Sequence, residues 1–542
     1  MKLLSLSLLF FTAVLGKEIS NPARQLKYVS GEVHRTIMKN KNTSFDKSRA
    51  EGLFNSSTYP KIDTYTPCVD GYAGSGINTT FRCNNIDLRY FVPHVELGSA
   101  TGEGSSSWGW TSDDGREFII IGQADGAAFA EVTEDGALDY IGRLPNTKGS
   151  DAIIWREIRV LKHYAVIGSE AEYHGVQIFD LKKLIELKPS RDEPCTSPKV
   201  FDPETDVTGM FRDLPIGASH NIVINEDFGY AVSVGARPRN STCASGLIFI
   251  DLSDPTNPTS PGCAAQDGYV HDAQCLEYKG PDTKYLGHDI CYGYNEDTLT
   301  IYDVTDKKNS TIISRTSYEG AQYTHQGALL DTEWQEFLLM DDEYDEYEMS
   351  GLAADGFPVT FIWNISSLER PLQTGYYKSD TRSIDHNQYI KNGFSFQSNY
   401  GAGLRILDVS SIPEDPTGAG VKEVGFFDVY PEDDAIGGLV DFVGTWSSYG
   451  LFESGWIVIN TIERGVFVVK MQDNHYGDGW GEDEDGEGTD GENTDGEDDD
   501  GEDDYNGQNK IIMAMAIVID NGNDDYWYTY ICIPLSLQDT QY

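Results

Sequence analysis

The chain is poor in positive charge. Lys and Arg number 40 against 88 Asp and Glu, so its 542 residues carry a net charge of -48. A nucleic-acid binder needs basic surface to displace counterions from phosphate, and docking on anionic lipid needs a polybasic patch; the composition argues against both. Residues 477–504 hold 16 acids and no Lys or Arg, yet the remainder still stands at -32, so the acidity belongs to the whole chain. Long apolar runs are missing too. Leu3 to Leu15 is too short and wrongly flanked for a spanning helix, and Ile511 to Ile519 is shorter still. The polar ending after it lacks the apolar tail of a glycolipid-anchor signal.

Several motifs of enzymes and metal proteins are absent. No GxSxG elbow is present, no glycine-rich stretch ends in Lys-Ser/Thr, and no EF-hand loop occurs. The eight Cys include no CxxC pair, which argues against a cysteine zinc site. What the chain does have is a positive Met1-Lys2 start, an apolar core, and small residues before Lys17; this reads as a secretory signal over residues 1–16. Six sequons follow, at Asn42, Asn55, Asn78, Asn240, Asn309 and Asn364, as expected of a glycosylated extracellular protein. In that compartment Cys68 with Cys83, Cys243 with Cys263, and Cys275 with Cys291 are close enough in sequence to be disulfides. Cys195 and Cys532 are left over.

Gly (55), Tyr (31) and aromatics at 12% suit an all-β chain with many turns. A phrase of apolar strand, Asp or Asn, apolar residue and Ser/Thr recurs. It is clear around Asp180, Asp251, Asp303, Asn364 and Asp408, and weaker around Glu131 and Val468. The seven copies are spaced by roughly 56 residues. Each Asp or Asn is expected to cap a turn after a buried strand. A second marker precedes each phrase: Trp110, Trp155, His220, His271, His325, His386 and Trp446. Two markers in constant order, one unit about every 50 residues, predict a seven-bladed β-propeller of four-stranded blades. The last unit lacks a fourth strand, and Tyr90 to Gly98 is expected to supply it, closing the ring. The organisation expected is a signal peptide (1–16), a spacer (17–65), a Cys-containing lead-in with the closing strand (66–107), the propeller (108–472), a disordered acidic linker (473–508) and a segment of unassigned structure (509–542).

Particular residues resemble a known family. Cys68 to Gly74, Cys83 to Leu88, Trp108-Gly-Trp110, Trp155-Arg156 and His174 to Asp180 look like the choice-of-anchor B family. So do Ser219-His220-Asn221, Asp267 to Cys275, Thr324 to Gly327, Asp341-Asp342-Glu343, Asp385-His386-Asn387 and Ile462 to Gly465. The resemblance covers about residues 66 to 472 and implies LVIVD-type repeats, a β-propeller, and a secreted or surface protein with no settled biochemical activity. Glu157 and Ala328 depart from the pattern, standing where Asp and Trp are expected.

In a propeller the first strand of each blade lies innermost, so residues opening those strands converge on the axis. His220, His271, His325 and His386 open four consecutive units. Neutral imidazole is a common metal ligand, and the adjacent Asn221, Asp272, Gln326 and Asn387 could orient it. A divalent metal on these His is one reading; bonds to backbone carbonyls of adjacent blades are the other. Asp272, Asp341, Asp342 and Glu343 are weaker metal candidates through their oxygens. Glu170, Asp289 and Glu463 could join the same rim. No catalytic residue stands out, and no cofactor is implied beyond such a metal. The expectation is therefore a monomeric, secreted or cell-surface binding module for an extracellular ligand or protein, with a His-lined axial site. A metal-dependent, hydrolase-like enzyme and an acidic, calcium-associated adhesive protein are the alternatives.

Overall fold

The computed structural model describes residues 22–76, 79–188 and 198–472. The segment read as a signal peptide (1–16), Asn78, Cys195, the segment read as an acidic linker (473–508), residues 509–542 and Cys532 lie outside them. The described strands form seven sheets. Their innermost strands are Gly104–Thr111, Arg156–Leu161, Asn221–Asn225, Asp272–Glu277, Thr324–Leu329, Asn387–Lys391 and Thr445–Tyr449. Each touches the next, and the last touches the first, so they surround one axis. The fold is an all-β propeller.

Each recurring phrase is the third strand of its sheet, for example Leu247–Asp251, Leu299–Asp303 and Leu404–Asp408. These strands are buried on both faces up to the final Asp or Asn. That residue's side chain then accepts the backbone N–H two positions on: Asp180 from Lys182 (3.0 Å), Asp251 from Ser253 (2.9 Å), Asp303 from Thr305 (3.1 Å), Asn364 from Ser366 (3.0 Å) and Asp408 from Ser410 (3.0 Å). At these five units the repeat is visible in sequence because a short polar side chain ends the strand with an Asx turn.

Two expectations change. The propeller has six separate blades rather than seven. The sheet led by Asn387–Lys391 keeps its place in the ring but is not a separate four-stranded blade. Its outer strand, Lys422–Phe427, pairs onward with Phe81–Asn84 of the lead-in, making one seven-stranded sheet. The marker Trp110 also differs from the others, because it lies near the far end of its innermost strand rather than at its start.

Closure is by an N-terminal strand, which begins earlier than Tyr90. Ile86–Pro93 pairs antiparallel with Gly465–Met471 along its whole length, and His94–Leu97 is a 3-10 turn. Phe91 of this strand packs tilted against Phe467 (4.4 Å between centroids), and Phe467 also meets Phe81 of the lead-in (5.2 Å) and Phe427 of the neighbouring sheet (5.9 Å). The Cys68–Cys83 disulfide ties the lead-in together, Cys243–Cys263 ties a loop to an outer strand, and Cys275–Cys291 joins directly opposed residues of two paired strands. Asn42, Asn55, Asn240 and Asn309 are exposed, and Asn364 is half-buried.

The region expected as a spacer is helical. Helix α1 (Pro22–Val29) and helix α2 (Glu32–Glu51) are joined at Gly31, whose φ of 69° is left-handed. Ile37, Lys41, Ser44, Phe45 and Ser48 form the buried stripe of α2, with helical spacing. Among the described residues no helix is long and apolar enough to cross a membrane.

The seam carries a pH dependence. His94 is fully buried, its Nε2 lies 2.8 Å from the Thr461 carbonyl, and burial pushes its pKa down to about 4. The unfolded chain binds a proton at this imidazole below its ordinary value of about 6.5, whereas the folded chain stays neutral until about pH 4. Stability therefore rises with pH through that window, and His94 alone removes on the order of 3 kcal/mol once acidification passes it. His94→Gln should flatten the dependence of Tm on pH between 6.5 and 4; an unchanged slope would contradict this account of the seam.

A capped axial histidine cluster

His220, His271 and His386 immediately precede their innermost strands, and His325 is the second residue of its own. The propeller brings all four to the axis. Their ring centroids run in an arc: His220 to His271 at 4.2 Å, His271 to His325 at 4.3 Å, His325 to His386 at 4.6 Å. Trp446 continues the arc at 5.1 Å from His386. All four His are buried.

Lys41, Tyr400, Tyr323 and Tyr269, which sequence reasoning did not place there, complete the cluster together with Glu343 and Glu170, which it named as candidates. Lys41, from α2, is buried at 3% exposure and puts its ammonium on both oxygens of Glu343, at 2.6 and 2.7 Å. Glu343 Oε2 lies 3.6 Å from His325 Nε2, and Oε1 lies 3.6 Å from His386 Nε2. Tyr400 donates its hydroxyl to the same carboxylate. On the other side, Glu170 lies 2.5 Å from His220 Nδ1, while Tyr323 and Tyr269 hydroxyls lie 3.0 and 3.3 Å from His271 Nδ1. Helix α2 covers this mouth: His34 lies 2.8 Å from the Tyr323 hydroxyl, and Asn40 donates to Tyr344.

Electrostatics sort these groups. Burial holds His271 and His325 well below their ordinary value and His386 at about 4, so all three are neutral near pH 7 with a lone pair to offer. Burial alone would raise Glu343, but Lys41 and the facing imidazoles pull it down to about 2. Glu170 is likewise drawn to about 2, by His220 against the cost of burial. Two tautomer patterns satisfy the arc. His220 Nε2 and His271 Nε2 face one another at 3.1 Å, so either one donates to the other or both present lone pairs to a shared cation. Donor atoms of His271, His325 and Glu343 all lie within 4.8 Å of one another. Among the described residues His325 Nδ1 has no hydrogen-bond partner. The free space among the four His, Lys41, Trp155 and Trp446 is about 10 Å³, the size of one water or one ion.

The remaining candidates divide. Asp341 accepts the Gln326 N–H at 2.8 Å and lies 3.5 Å from His325 Nδ1. Asp342 points away from the imidazoles and accepts from Tyr318 and from the Gln322 and Tyr323 N–H groups, which fixes the strand end. Asp272, which follows His271 at the start of its strand, lines a separate pocket that runs along the innermost strands beside Arg159 and Trp108, and burial raises its pKa to about 6. Of the rim acids, Glu170 joins the cluster, Asp289 pairs with Lys307, and Glu463 accepts the Gly444 N–H. Asn387 bonds the Trp446 carbonyl, as does His386, so at this position the bonding to a neighbouring blade is present. Glu157 pairs with Arg159, and Ala328 lines the same pocket as Asp272.

No family model and no curated protein matches the chain. Among solved structures it is similar to the computationally designed protein Ika8, with a TM-score of 0.40 at 8% identity, covering 76% of this chain and 96% of that one. It is also similar to a functionally unknown protein from Desulfotomaculum acetoxidans, with a TM-score of 0.38 at 8% identity, covering 59% and 88%. Likenesses of this size carry no statement about function.

The Lys41–Glu343 pair is fully desolvated, so breaking it from one side leaves an uncompensated buried charge. Lys41→Met should destabilise the protein by about 3–5 kcal/mol in denaturant unfolding. Adding Glu343→Gln should restore most of that loss; strictly additive effects would show that the two groups do not interact.

Proposed function

We propose that the protein is a secreted, glycosylated β-propeller of the choice-of-anchor B type, acting as an extracellular binding module, with a divalent transition-metal ion at the capped end of its axis. The observation that carries the metal is the meeting of two neutral imidazoles, His271 and His325, with the ionised Glu343 inside one 4.8 Å sphere. Nitrogen and carboxylate donors of this number suit zinc or a similar ion, whose bonds to nitrogen run about 2.0–2.1 Å. His220 is a further donor, with Glu170 orienting its ring as an outer-shell carboxylate does. Three disulfides fit an oxidising compartment.

The ion's role in this reading is structural. A hydrolase would need room for substrate beside the metal, and the space under α2 holds a single water or ion. The open end of the axis offers the ligand surface: a pocket of about 400 Å³ where Arg159 lies over Trp108 (4.3 Å) and Tyr389 (5.3 Å). Protein purified from secreting cells without chelator should carry one divalent ion per chain by plasma mass spectrometry. His271→Ala with His325→Ala should abolish it and lower Tm. Absence of stoichiometric metal in the wild type would overturn the metal assignment.

A further inference from the structure

A second group of donors lies away from the imidazoles, in the loop after Lys422–Phe427. Asp428, Asp433 and Asp434 each bring a carboxylate oxygen within 4.8 Å of the others. Asp428 and Asp433 are each only 3% exposed. One oxygen of Asp428 accepts the Tyr430 N–H at 2.9 Å. Among the described residues the buried Asp433 Oδ2 accepts no hydrogen bond, and Asp434 Oδ1 has only the Arg82 ion pair. An orphaned carboxylate oxygen buried among carboxylates is costly unless a cation or a proton satisfies it.

The surrounding charges do not balance the three acids. Arg82 reaches Asp434 at 3.6 Å. Arg405, near Asp428, is engaged by Glu423 and by the Ala402 carbonyl. Glu432, the neighbouring acid, is itself paired with Arg464. Among the described residues only Arg82 pairs directly with the three acids, and burial raises all three above the ordinary carboxylate range; a divalent cation would relieve that cost, and an all-oxygen donor set selects a hard one.

We propose that Asp428, Asp433 and Asp434 bind a calcium ion. The position gives it a task. The Asp428 N–H donates to the Arg82 carbonyl at 2.9 Å, and Arg82 lies in the strand that pairs with Lys422–Phe427 and precedes the closing strand. Calcium here fastens the lead-in to the ring beside its seam. It is independent of the axial metal, because none of the three acids touches the His cluster's donors.

The test uses full-length protein stripped of metal and titrated with calcium alone. Calorimetry of the wild type should show one site per chain above any weak background from the acidic segment, and calcium should raise Tm. Asp433→Asn should weaken that site at least about tenfold and abolish the Tm response. Without calcium it should be at least as stable as the wild type, since it removes repulsion. Asp434→Asn, at a more exposed position, serves if Asp433→Asn does not fold. Terbium luminescence sensitised by Tyr430 gives a direct reading in the wild type, reversed by calcium. Equal calcium binding in wild type and variants, or no saturable site in the wild type, would overturn the proposal.

Discussion

The pairing of Ile86–Pro93 with Gly465–Met471 is the constraint on which the rest depends. A sheet rolled into a ring is stable only if its two ends meet, because each open end would present a ladder of unpaired backbone groups. Here the meeting strand comes from before the first blade, so the closing strand and the last strand of the ring share one sheet. The aromatic contacts of Phe467 with Phe91, Phe81 and Phe427 fill the junction, and His94 is buried against it. Only a closed ring sets the innermost strands around a common axis. The histidine arc is a product of that closure, since its four members come from four different sheets.

At the axis, one low-dielectric space treats chemically similar groups differently. Glu343 faces Lys41 and two imidazoles and stays ionised. Asp341, Asp345, Glu346 and Asp385 are just as buried, and burial with mutual repulsion raises each well above the ordinary carboxylate range. Near neutral pH the site thus presents an anionic Glu343, paired with Lys41, beside the neutral imidazoles of His271, His325 and His386. Lys41 supplies a positive charge in the same place from outside the propeller. Helix α2 is therefore part of the site's electrostatics as well as its lid.

The fold was legible in the sequence where a single residue type is obligatory. The strand-ending Asp or Asn marks the repeat because an Asx turn needs that side chain. The four His are legible because the propeller returns to its axis at a fixed place in each unit. Other features left weaker traces. The stripe of α2 mixes Ile37 and Phe45 with Lys41, Ser44 and Ser48, so it lacks the apolar periodicity that betrays a packed helix. Glu343 belonged to an acidic run whose members part in three dimensions: Asp342 ties down backbone while Glu343 turns to the imidazoles. The separate-blade count fell from seven to six because the pairing of Phe81–Asn84 with Lys422–Phe427 merges lead-in and blade, a long-range contact with no local signature.

The proposed axial metal rests on the histidine arc and the ionised carboxylate beside it. The most direct test is an anomalous difference map from crystals of chelator-free protein, with data collected above and below the zinc edge. One strong peak is expected between the side chains of His271, His325 and Glu343. No peak at that position, with His220 and His271 joined by an ordinary hydrogen bond, would contradict the proposed metal.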